Sequence, residues 1–215
     1  MRNRGSMIVF EGCDLSGKST QCKLLYENLI INNISCEQIR FPDRTTYIGQ
    51  CIDSYLNNKN DLEDHAIHLL FSANRWENMK RIEELLLAGI TVIVDRYAYS
   101  GVAFSSSKMN ISIDWCKSSD TGMIKPDIIF YIDINPENTQ NRLNFGIERY
   151  ESLLFQNSVY NQYSKLIEPD WNIIDGNKDI QIISDEIFDR VKCYLANEKL
   201  NDKLDLLWVE SNNFK

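Results

Sequence analysis

The segment from Gly12 to Ser19 constrains the fold of this chain more than any other. It reads GCDLSGKS and matches the pattern G-x-x-x-x-G-K-[ST]. An apolar stretch, Met7 to Glu11, precedes it, and the residues from Lys18 to Ile31 have helical spacing. Such a loop folds its backbone N–H groups around a polyphosphate, its lysine reaches the outer phosphates, and its serine hydroxyl can ligate magnesium. A chance glycine turn is the alternative, but motif and context agree, so we predict a nucleotide-phosphate site.

Strands and helices are predicted to alternate along the rest of the chain. Further strands are predicted at 35–41, 90–94, 128–132 and 171–174, and helices at 61–88, 136–143, 150–167 and 179–196. Continuous apolar runs such as IIFYI indicate strands that are buried on both faces. This order predicts an α/β fold over residues 1–215, with a parallel sheet of about five strands flanked by helices. Ligands of such sheets bind beyond the carboxyl ends of the strands.

The charge balance excludes a general attraction to polyanions. Asp and Glu number 31 against 23 Lys and Arg, and the formal net charge is -8, so neither nucleic acid nor a membrane is an expected partner. An anionic ligand must then be held by a few placed cations. The six cysteines form no C-x-x-C pair and no signal peptide is evident, which predicts reduced thiols in the cytoplasm, with a nuclear pool as an alternative. Residues 1–6 and 210–215 are expected to be loose tails.

Arginines follow two of the predicted strands. Asp95 and Arg96 come at the end of the run IVDR, and Arg44 follows the second strand in FPDR. If these strands are neighbours in a parallel sheet, both arginines emerge on the side of Lys18 and form a second anion site. The alternative is two surface arginines paired with Asp43 and Asp95. No N-K-x-D motif is present, so a GTPase is not predicted.

The long helical segment carries candidate base-binding residues. Phe71 and Arg75 are four residues apart in LLFSANRW, so they share one face, where the ring can stack on a base and the guanidinium can bond to its edge. An aromatic residue at helical spacing is more often part of the core, and both alternatives stay open. His65 and His68 have no evident third ligand, so we predict that they hold no metal.

These motifs together resemble a known enzyme family. The segments FEGCDLSGKSTQ, FPDR, LLFSANRWE, VDRYAYSGVAFS, KPDIIFYID and FGIERYE occur in the order and spacing of the thymidylate kinases, and the chain is similar to the eukaryotic branch. The resemblance implies a P-loop NTPase-type sheet with the architecture of a nucleoside monophosphate kinase and a mobile lid near residues 141–152. It also implies a homodimer that uses Mg²⁺ to transfer the γ-phosphoryl group of ATP to dTMP, giving dTDP for dTTP synthesis.

The resemblance also assigns roles to individual residues. ATP is expected to contact Gly12, Ser16, Gly17, Lys18, Ser19, Thr20 and Arg142. dTMP is expected to contact Asp14, Arg44, Phe71, Arg75, Arg96, Ser100, Phe104 and Tyr150. Catalysis is expected to depend on Lys18, Arg96, Asp95, Asp14 and Arg149. Mg²⁺ is expected at Ser19 and Asp95, directly or through water.

Two neighbouring residues of the glycine loop are unexpected in a phosphate site. The resemblance implies that Asp14 turns away from the triphosphate, pairs with Arg96 and accepts a hydrogen bond from the 3′-hydroxyl of dTMP. Leu15 stands where many eukaryotic relatives carry a basic residue. The lid residue Arg149 is expected to supply the missing cation, and its pairing with a neighbouring glutamate is the alternative. Two further alternatives are a kinase that also accepts dUMP or dGMP and a weakly active nucleotide-binding regulatory protein.

Overall fold

One parallel sheet organises the chain. The computed structural model describes residues 4–108, 111–140, 146, 148–196 and 203–209. Within them, the sheet has five strands in the order β2-β3-β1-β4-β5, and every neighbouring pair is parallel. The strands are β1 (Met7–Glu11), β2 (Cys36–Arg40), β3 (Thr91–Asp95), β4 (Ile128–Asp133) and β5 (Asn172–Asp175). The predicted α/β fold with a parallel sheet is confirmed.

Seven α-helices connect and cover the strands in the described part of the chain. They are α1 (Lys18–Ile31), α2 (Tyr47–Leu56), α3 (Asp64–Leu87), α4 (Ala98–Ser106), α5 (Ile113–Ser118), α6 (Leu153–Tyr163) and α7 (Ile180–Ala196). A 3₁₀ helix follows β4 at Pro136–Thr139. Among these helices, none has the length and apolar character that a membrane span requires.

The central strands are apolar throughout because both faces of the sheet are covered. Along β1, Met7 and Val9 pack into one core with residues of α3, α4 and α6. The alternate residues, Ile8 and Phe10, pack into a second core with α1 and α7. Full burial of an aliphatic or aromatic side chain of this size stabilises the fold by about 1.5–3 kcal/mol. Burial on both faces explains the unbroken apolar runs from which the parallel sheet is predicted.

The sequence pattern does not predict α2, α4 and α5. Helix α4 is buried on nearly every side, so it has no polar face from which a helical period can be read. Helix α5 has only 6 residues. Helix α2 contains Gly49, where a Cβ would lie 1.8 Å from the carbonyl oxygen of Asp43. A helix seated this closely on the preceding loop depends on a tertiary contact that local sequence does not reveal.

Two predicted helices have different bounds in the structure. The helix predicted at 150–167 begins instead at Leu153, because the hydroxyl of Ser152 accepts a hydrogen bond from the backbone N–H of Phe155 at 3.3 Å and caps it. The helix predicted at 136–143 is only a 3₁₀ helix in its described part, and residues 141–143 lie outside the described residues.

The prediction of a loose N-terminal tail is wrong for residues 4–6. The guanidinium of Arg4 donates to both carboxylate oxygens of Asp127, at 2.8 and 2.7 Å. The backbone N–H of Gly5 donates to the carbonyl oxygen of Leu86 at 2.7 Å, and Ser6 is fully buried. A single arginine gives no sequence signal of a partner 123 positions away. The predicted C-terminal tail, residues 210–215, lies outside the described residues.

The strand order places the carboxyl ends of three strands side by side. The last residue of β2, Arg40, pairs in register with Asp95, the last residue of β3, which is also paired with Phe10 of β1. The glycine loop that follows β1 and the arginine that follows β3 therefore share one edge of the sheet. This is the edge where ligands of such sheets bind.

Candidate active site

The glycine loop adopts backbone angles that its glycines permit. Gly12 has a φ of 143°, and a Cβ there would lie 2.8 Å from the carbonyl oxygen of Ile132. Gly17 has a φ of 103° and caps the start of α1. Side chains disfavour these angles, and glycine adopts them readily. The loop consequently turns directly into the N-terminus of α1, where backbone N–H groups attract anions.

The amine of Lys18 is buried against the glycine loop. Its Nζ donates to the carbonyl oxygen of Cys13 and to the hydroxyl of Ser16, the latter at 3.1 Å. Burial, and then the positive charge of Arg96, lower the pKa of Lys18 to about 8. A polyphosphate bound here would supply the negative charge that stabilises a buried ammonium group. The lysine is therefore suited to an anionic ligand.

The carboxylate of Asp14 joins the glycine loop to two other elements. One oxygen accepts from the guanidinium of Arg96, and the other accepts from the side-chain amide of Gln156 at 2.6 Å. The amide oxygen of Gln156 in turn accepts from the backbone N–H of Asp14 at 2.9 Å. The predicted pairing of Asp14 with Arg96 is confirmed. Sequence reasoning misses Gln156 because a lone glutamine in a helix carries no motif.

The guanidinium of Arg96 lies between the glycine loop and α4. It donates to the carbonyl oxygen of Gly12 and to the hydroxyl of Ser100, each at 3.3 Å. It also lies over the ring of Phe104, 5.2 Å from the ring centroid. Burial is the largest single effect and lowers the pKa of Arg96, but the surrounding negative charges, that of Asp14 first among them, together outweigh it, so the net shift is upward. The guanidinium therefore remains a cation in the site.

A buried glutamate fixes the chain just after Arg96. Glu11 accepts from the backbone N–H groups of Tyr97 and Ser100, at 2.9 and 3.1 Å, and from the hydroxyl of Tyr163 at 2.8 Å. The Ser100 hydroxyl also donates to Glu11, so its hydrogen is engaged within the protein. Arg96 itself has a φ of 68°, a conformation that costs on the order of 1–3 kcal/mol and persists only where the surroundings hold it.

Ser19 and Asp95 provide oxygen ligands for a divalent cation. The Ser19 hydroxyl donates to Oδ2 of Asp95 at 2.5 Å, and Nε of Arg40 lies 3.7 Å from the same oxygen. The other oxygen of Asp95, Oδ1, is buried and has no hydrogen-bond partner among the described residues. A buried carboxylate oxygen needs a partner, and Mg²⁺ prefers hydroxyl, carboxylate and phosphate oxygens. These residues therefore fit the magnesium ion that the resemblance implies.

A cavity of 420 Å³ opens beside the glycine loop. Its lining includes most of the predicted site residues: Asp14, Gly17, Lys18, Ser19, Thr20, Arg44, Phe71, Arg75, Arg96, Ser100, Phe104 and Tyr150. The volume lies within the range of about 300–1,000 Å³ that is usual for small-molecule sites. Gly12, Ser16 and Asp95 support this cavity from the loop and the strand end without lining it. The predicted adenine contact, Arg142, lies outside the described residues.

Arg75 reaches the cavity from α3 while it is bound to a carboxylate. Its Nε and Nη2 donate to the two oxygens of Asp120 at 3.2 and 2.6 Å, and both side chains are buried. Phe71, one turn earlier, is half-buried and lines the same cavity, so this pair faces a ligand site rather than the core alone. Gly101 leaves room for the guanidinium, since a Cβ there would lie 2.6 Å from Nη2.

Arg44 lies between two carboxylates at the edge of the cavity. Its Nη1 donates to Asp53 at 2.6 Å and its Nη2 donates to Glu148 at 2.7 Å. The predicted alternative partner, Asp43, instead accepts from the backbone N–H and hydroxyl of Thr45. Glu148 belongs to the segment predicted to form the lid. This contact therefore joins the acceptor side of the cavity to that segment.

Arg149, which is predicted to lie over the phosphates when the lid closes, contacts the end of α2 and the residues after it in this structure. Its Nε donates to the carbonyl oxygen of Tyr55 at 3.0 Å, and its Nη2 donates to the carbonyl oxygen of Asn60 at 2.9 Å. The same nitrogen lies 2.6 Å from a carboxylate oxygen of Asp61, and the guanidinium lies over the Tyr55 ring, 4.1 Å from its centroid. The end of α2 offers an aromatic face and carbonyl acceptors together, a combination that the motif FGIERYE does not reveal.

The two histidines of α3 have different surroundings. His68 is buried, with Nδ1 2.8 Å from the hydroxyl of Ser105 and Nε2 3.0 Å from the carbonyl oxygen of Cys116. A carbonyl oxygen only accepts, so Nε2 carries the hydrogen. Burial, and then the charge of Arg75, lower the pKa of His68. The side chain of His65 is partly exposed. His68 is therefore a neutral core histidine with both ring nitrogens hydrogen-bonded.

Two anion-binding regions thus share one cavity at the edge of a parallel sheet. A glycine loop with its lysine forms one region, and the arginines of α3 and of the loops that follow β2 and β3 form the other. This combination defines a P-loop kinase that acts on a nucleoside monophosphate. The family model for thymidylate kinase matches residues 10–187, and the chain belongs to that family. The resemblance drawn from the sequence motifs is confirmed.

Individual relatives agree with this assignment over nearly the whole chain. The thymidylate kinase of Plasmodium falciparum is 48% identical over 202 residues, which cover 93% of this chain and 96% of that protein. The human thymidylate kinase is 44% identical over 187 residues, which cover 86% of this chain and 88% of that protein. A solved structure of the Candida albicans thymidylate kinase, described as revealing the origin of broad substrate specificity, superimposes with a TM-score of 0.87 at 35% identity, covering 96% of this chain and 99% of that one. The chain is therefore an enzyme, a kinase.

We predict that His68 makes the fold sensitive to acid. Its folded-state pKa lies below that of an unfolded histidine, so its contribution to stability is complete above pH 6.5 and is lost as the pH falls through the folded-state pKa. His68→Gln should lower the free energy of unfolding at pH 8 by about 1–2 kcal/mol, because buried hydrogen bonds are lost. The free energy of unfolding of this variant should also decrease less steeply than that of the wild-type protein as the pH falls. Urea unfolding at several pH values measures both effects.

His65, whose side chain is 45% exposed, provides the matched control. His65→Gln should retain both the stability at pH 8 and the acid-dependent decline of the wild-type protein. If His68→Gln declines in acid as steeply as the wild-type protein, then another group is responsible for the acid sensitivity.

Proposed function

We propose that this kinase binds dTMP in the cavity and Mg-ATP at the glycine loop, and transfers the γ-phosphoryl group to give dTDP. The observation that carries the proposal is a single continuous cavity, lined on one side by Lys18 and Ser19 and on the other by Phe71 and Arg75. Donor and acceptor phosphates can therefore meet in one enclosed space. Bringing two reactants together in the correct orientation accounts for much of the catalysis in phosphoryl transfer.

The acceptor side has the chemistry to bind a thymine nucleotide. Phe71 offers a half-buried ring on which the base stacks. Arg75 has only hydrogen-bond donors, so it suits the O4 acceptor of thymine and opposes the exocyclic amine of cytosine. Phe104 and Tyr150 pack against one another, with ring centroids 5.9 Å apart, and we propose that they enclose the deoxyribose. Arg44 binds the phosphate of dTMP.

The donor side follows from the glycine loop. Backbone N–H groups of the loop, the start of α1 and the amine of Lys18 bind the phosphates of ATP. Ser19 and Asp95 would hold Mg²⁺, directly or through water, and the ion would neutralise charge on the β- and γ-phosphates. A contact of Arg142 with adenine is proposed on the resemblance alone.

The chemical step needs no strong base. An anionic oxygen of the dTMP phosphate forms a bond to the γ-phosphorus while the bond from that phosphorus to the β–γ bridging oxygen breaks, and ADP leaves. Arg96 lies between the two regions and stabilises charge on the migrating group, while Asp14 orients Arg96 and accepts from the 3′-hydroxyl of dTMP. Because Leu15 is apolar and Arg149 contacts the end of α2, Arg96 and Lys18 are the proposed cations.

We further propose that the enzyme is a homodimer formed through α3. Leu69 and Trp76 are seven positions apart on this helix and are 48% and 42% exposed, so they form one apolar face. Tyr47 is exposed at the start of the neighbouring α2.

Sedimentation equilibrium should give twice the chain mass, and Trp76→Glu should shift the measured mass toward that of the monomer. Leu154→Glu, at an exposed position of α6, should leave the measured mass unchanged. Equal behaviour of the two variants would place the interface elsewhere.

A coupled assay of ADP release tests the proposed reaction. The assay contains ATP, Mg²⁺ and one of dTMP, dUMP, dGMP and dCMP. We predict that kcat/KM for dTMP exceeds that for dCMP by at least about 10³, because the exocyclic amine of cytosine places a hydrogen-bond donor opposite the buried donors of Arg75. Lys18→Ala should nearly abolish release with every acceptor. Comparable turnover of dCMP contradicts the role of Arg75, and binding without any acceptor-dependent release favours the regulatory alternative.

The two acceptor-side arginines are predicted to give different kinetic signatures. Arg96→Ala should lower kcat by about 10³ or more and also raise KM for dTMP, because this guanidinium meets charge that develops during transfer. Arg44→Ala should act mainly on KM, raising it about 10- to 100-fold, because it binds a charge present before the reaction. Arg190→Ala, on the outer face of α7, is the control and should change neither constant. Matching signatures for Arg96→Ala and Arg44→Ala would show that the roles are wrongly divided.

A further inference from the structure

The segment that carries Asp120 is tied to the helix that carries Arg75. From α3, Ser72 and Trp76 each donate a hydrogen bond to the carbonyl oxygen of Ser119, at 2.9 Å in both cases. Ser72, Arg75 and Trp76 lie three and four positions apart, so they share one face of α3. The carboxylate that binds Arg75 therefore has a fixed position relative to the backbone of α3.

The C-terminal residues 203–209 hold the same segment from its other end. The backbone N–H of Gly122 donates to the carbonyl oxygen of Leu207 at 3.0 Å, and the N–H of Leu207 donates to the carbonyl oxygen of Met123 at 2.8 Å. The N–H of Lys125 donates to the carbonyl oxygen of Asp205 at 2.7 Å. The side chain of Leu207 is buried in the core. Contacts at both ends thus restrict the movement of the loop that contains Asp120.

The pair of hydrogen bonds between Arg75 and Asp120, a two-point fork, determines which donors of Arg75 face the cavity. A guanidinium has five N–H groups, and here Nε and Nη2 are directed at Asp120. Two parallel hydrogen bonds fix the plane of the guanidinium as well as its position. The donors on Nη1, and the second donor on Nη2, are then available to a ligand in the cavity that Arg75 lines. Gly101 admits this orientation because it has no Cβ in the space that Nη2 occupies.

We propose that Asp120 is a positioning residue that sets the base preference of the kinase by holding the guanidinium plane of Arg75. The proposal rests on the proposed role of Arg75 as the group that meets O4 of thymine. A fixed donor matches an acceptor at that position and cannot turn away from an amine. A guanidinium free to rotate would lose contact with thymine and would tolerate cytosine, so loss of Asp120 brings the two bases closer in kcat/KM. A carboxylate that only stabilises the fold would leave that ratio unchanged.

Steady-state kinetics of Asp120→Asn with dTMP and dCMP test the proposal. The substitution keeps the shape of the side chain but places an amide N–H₂ opposite a guanidinium donor, so the two-point fork is lost. KM for dTMP should rise by about tenfold while kcat stays within about threefold, and the dTMP to dCMP ratio of kcat/KM should fall by about tenfold. Gly101→Ala should change the ratio in the same direction, because the added methyl displaces Nη2, the atom that donates the shorter hydrogen bond to Asp120. This second variant tests the proposal even if Asp120→Asn fails to fold.

A second buried pair provides the matched control. Asp127 binds Arg4 through two hydrogen bonds, so Asp127→Asn removes a comparable fork at the opposite end of β1 from the glycine loop. It should lower the melting temperature without changing the dTMP to dCMP ratio. If Arg75→Met lowers the ratio but Asp120→Asn and Gly101→Ala retain it, Asp120 has no positioning role. If Arg75→Met also retains the ratio, the assignment of Arg75 as the base reader fails instead.

Discussion

The buried carboxylate of Glu11 is the interaction on which the rest of the site depends. It ends β1 just before the glycine loop, and it accepts from the first turn of α4 and from Tyr163 of α6. A carboxylate buried without partners is strongly unfavourable, and here backbone donors, a hydroxyl and the N-terminus of α4 offset that cost. The arrangement fixes α4 beside the glycine loop. It also holds Arg96, the residue before α4, in a backbone conformation that few side chains adopt.

The charges around the cavity are paired within the protein, and this pairing suits an acidic chain that binds anions. Arg44, Arg75 and Arg96 each contact a carboxylate, whereas the Lys18 amine donates to two neutral oxygens. Bidentate or shared carboxylate contacts fix the position and the plane of a guanidinium before a ligand arrives, so less order has to be gained on binding. The cavity therefore presents oriented donors, although the whole chain carries a formal charge of -8.

The sequence predicts the parts of the site that lie at strand ends. Gly12 to Ser19 form a contiguous motif, and Arg96 follows an apolar strand, so topology alone brings the two together. Asp120 and Gln156 could not be predicted, because each is a single polar residue whose partner is distant in the chain. The contacts of Arg149 could not be predicted for a different reason. A flexible cation binds whichever acceptors lie closest, and a motif does not show the competing carbonyl groups and aromatic ring of α2.

Under the proposed role of Arg44, its contacts couple the acceptor phosphate to the segment before α6. Its guanidinium is shared between Asp53 of α2 and Glu148, so an incoming phosphate must compete with a carboxylate for at least one of these donors. A dianionic phosphate presents more charge and more acceptor oxygens than a carboxylate. Its arrival therefore favours release of one of the two carboxylates that Arg44 contacts. Asp53 is carried by a helix, whereas Glu148 belongs to a short turn, so Glu148 has the greater freedom to leave. Occupation of the acceptor side would thereby free the contact that Glu148, a residue of the predicted lid segment, makes with Arg44.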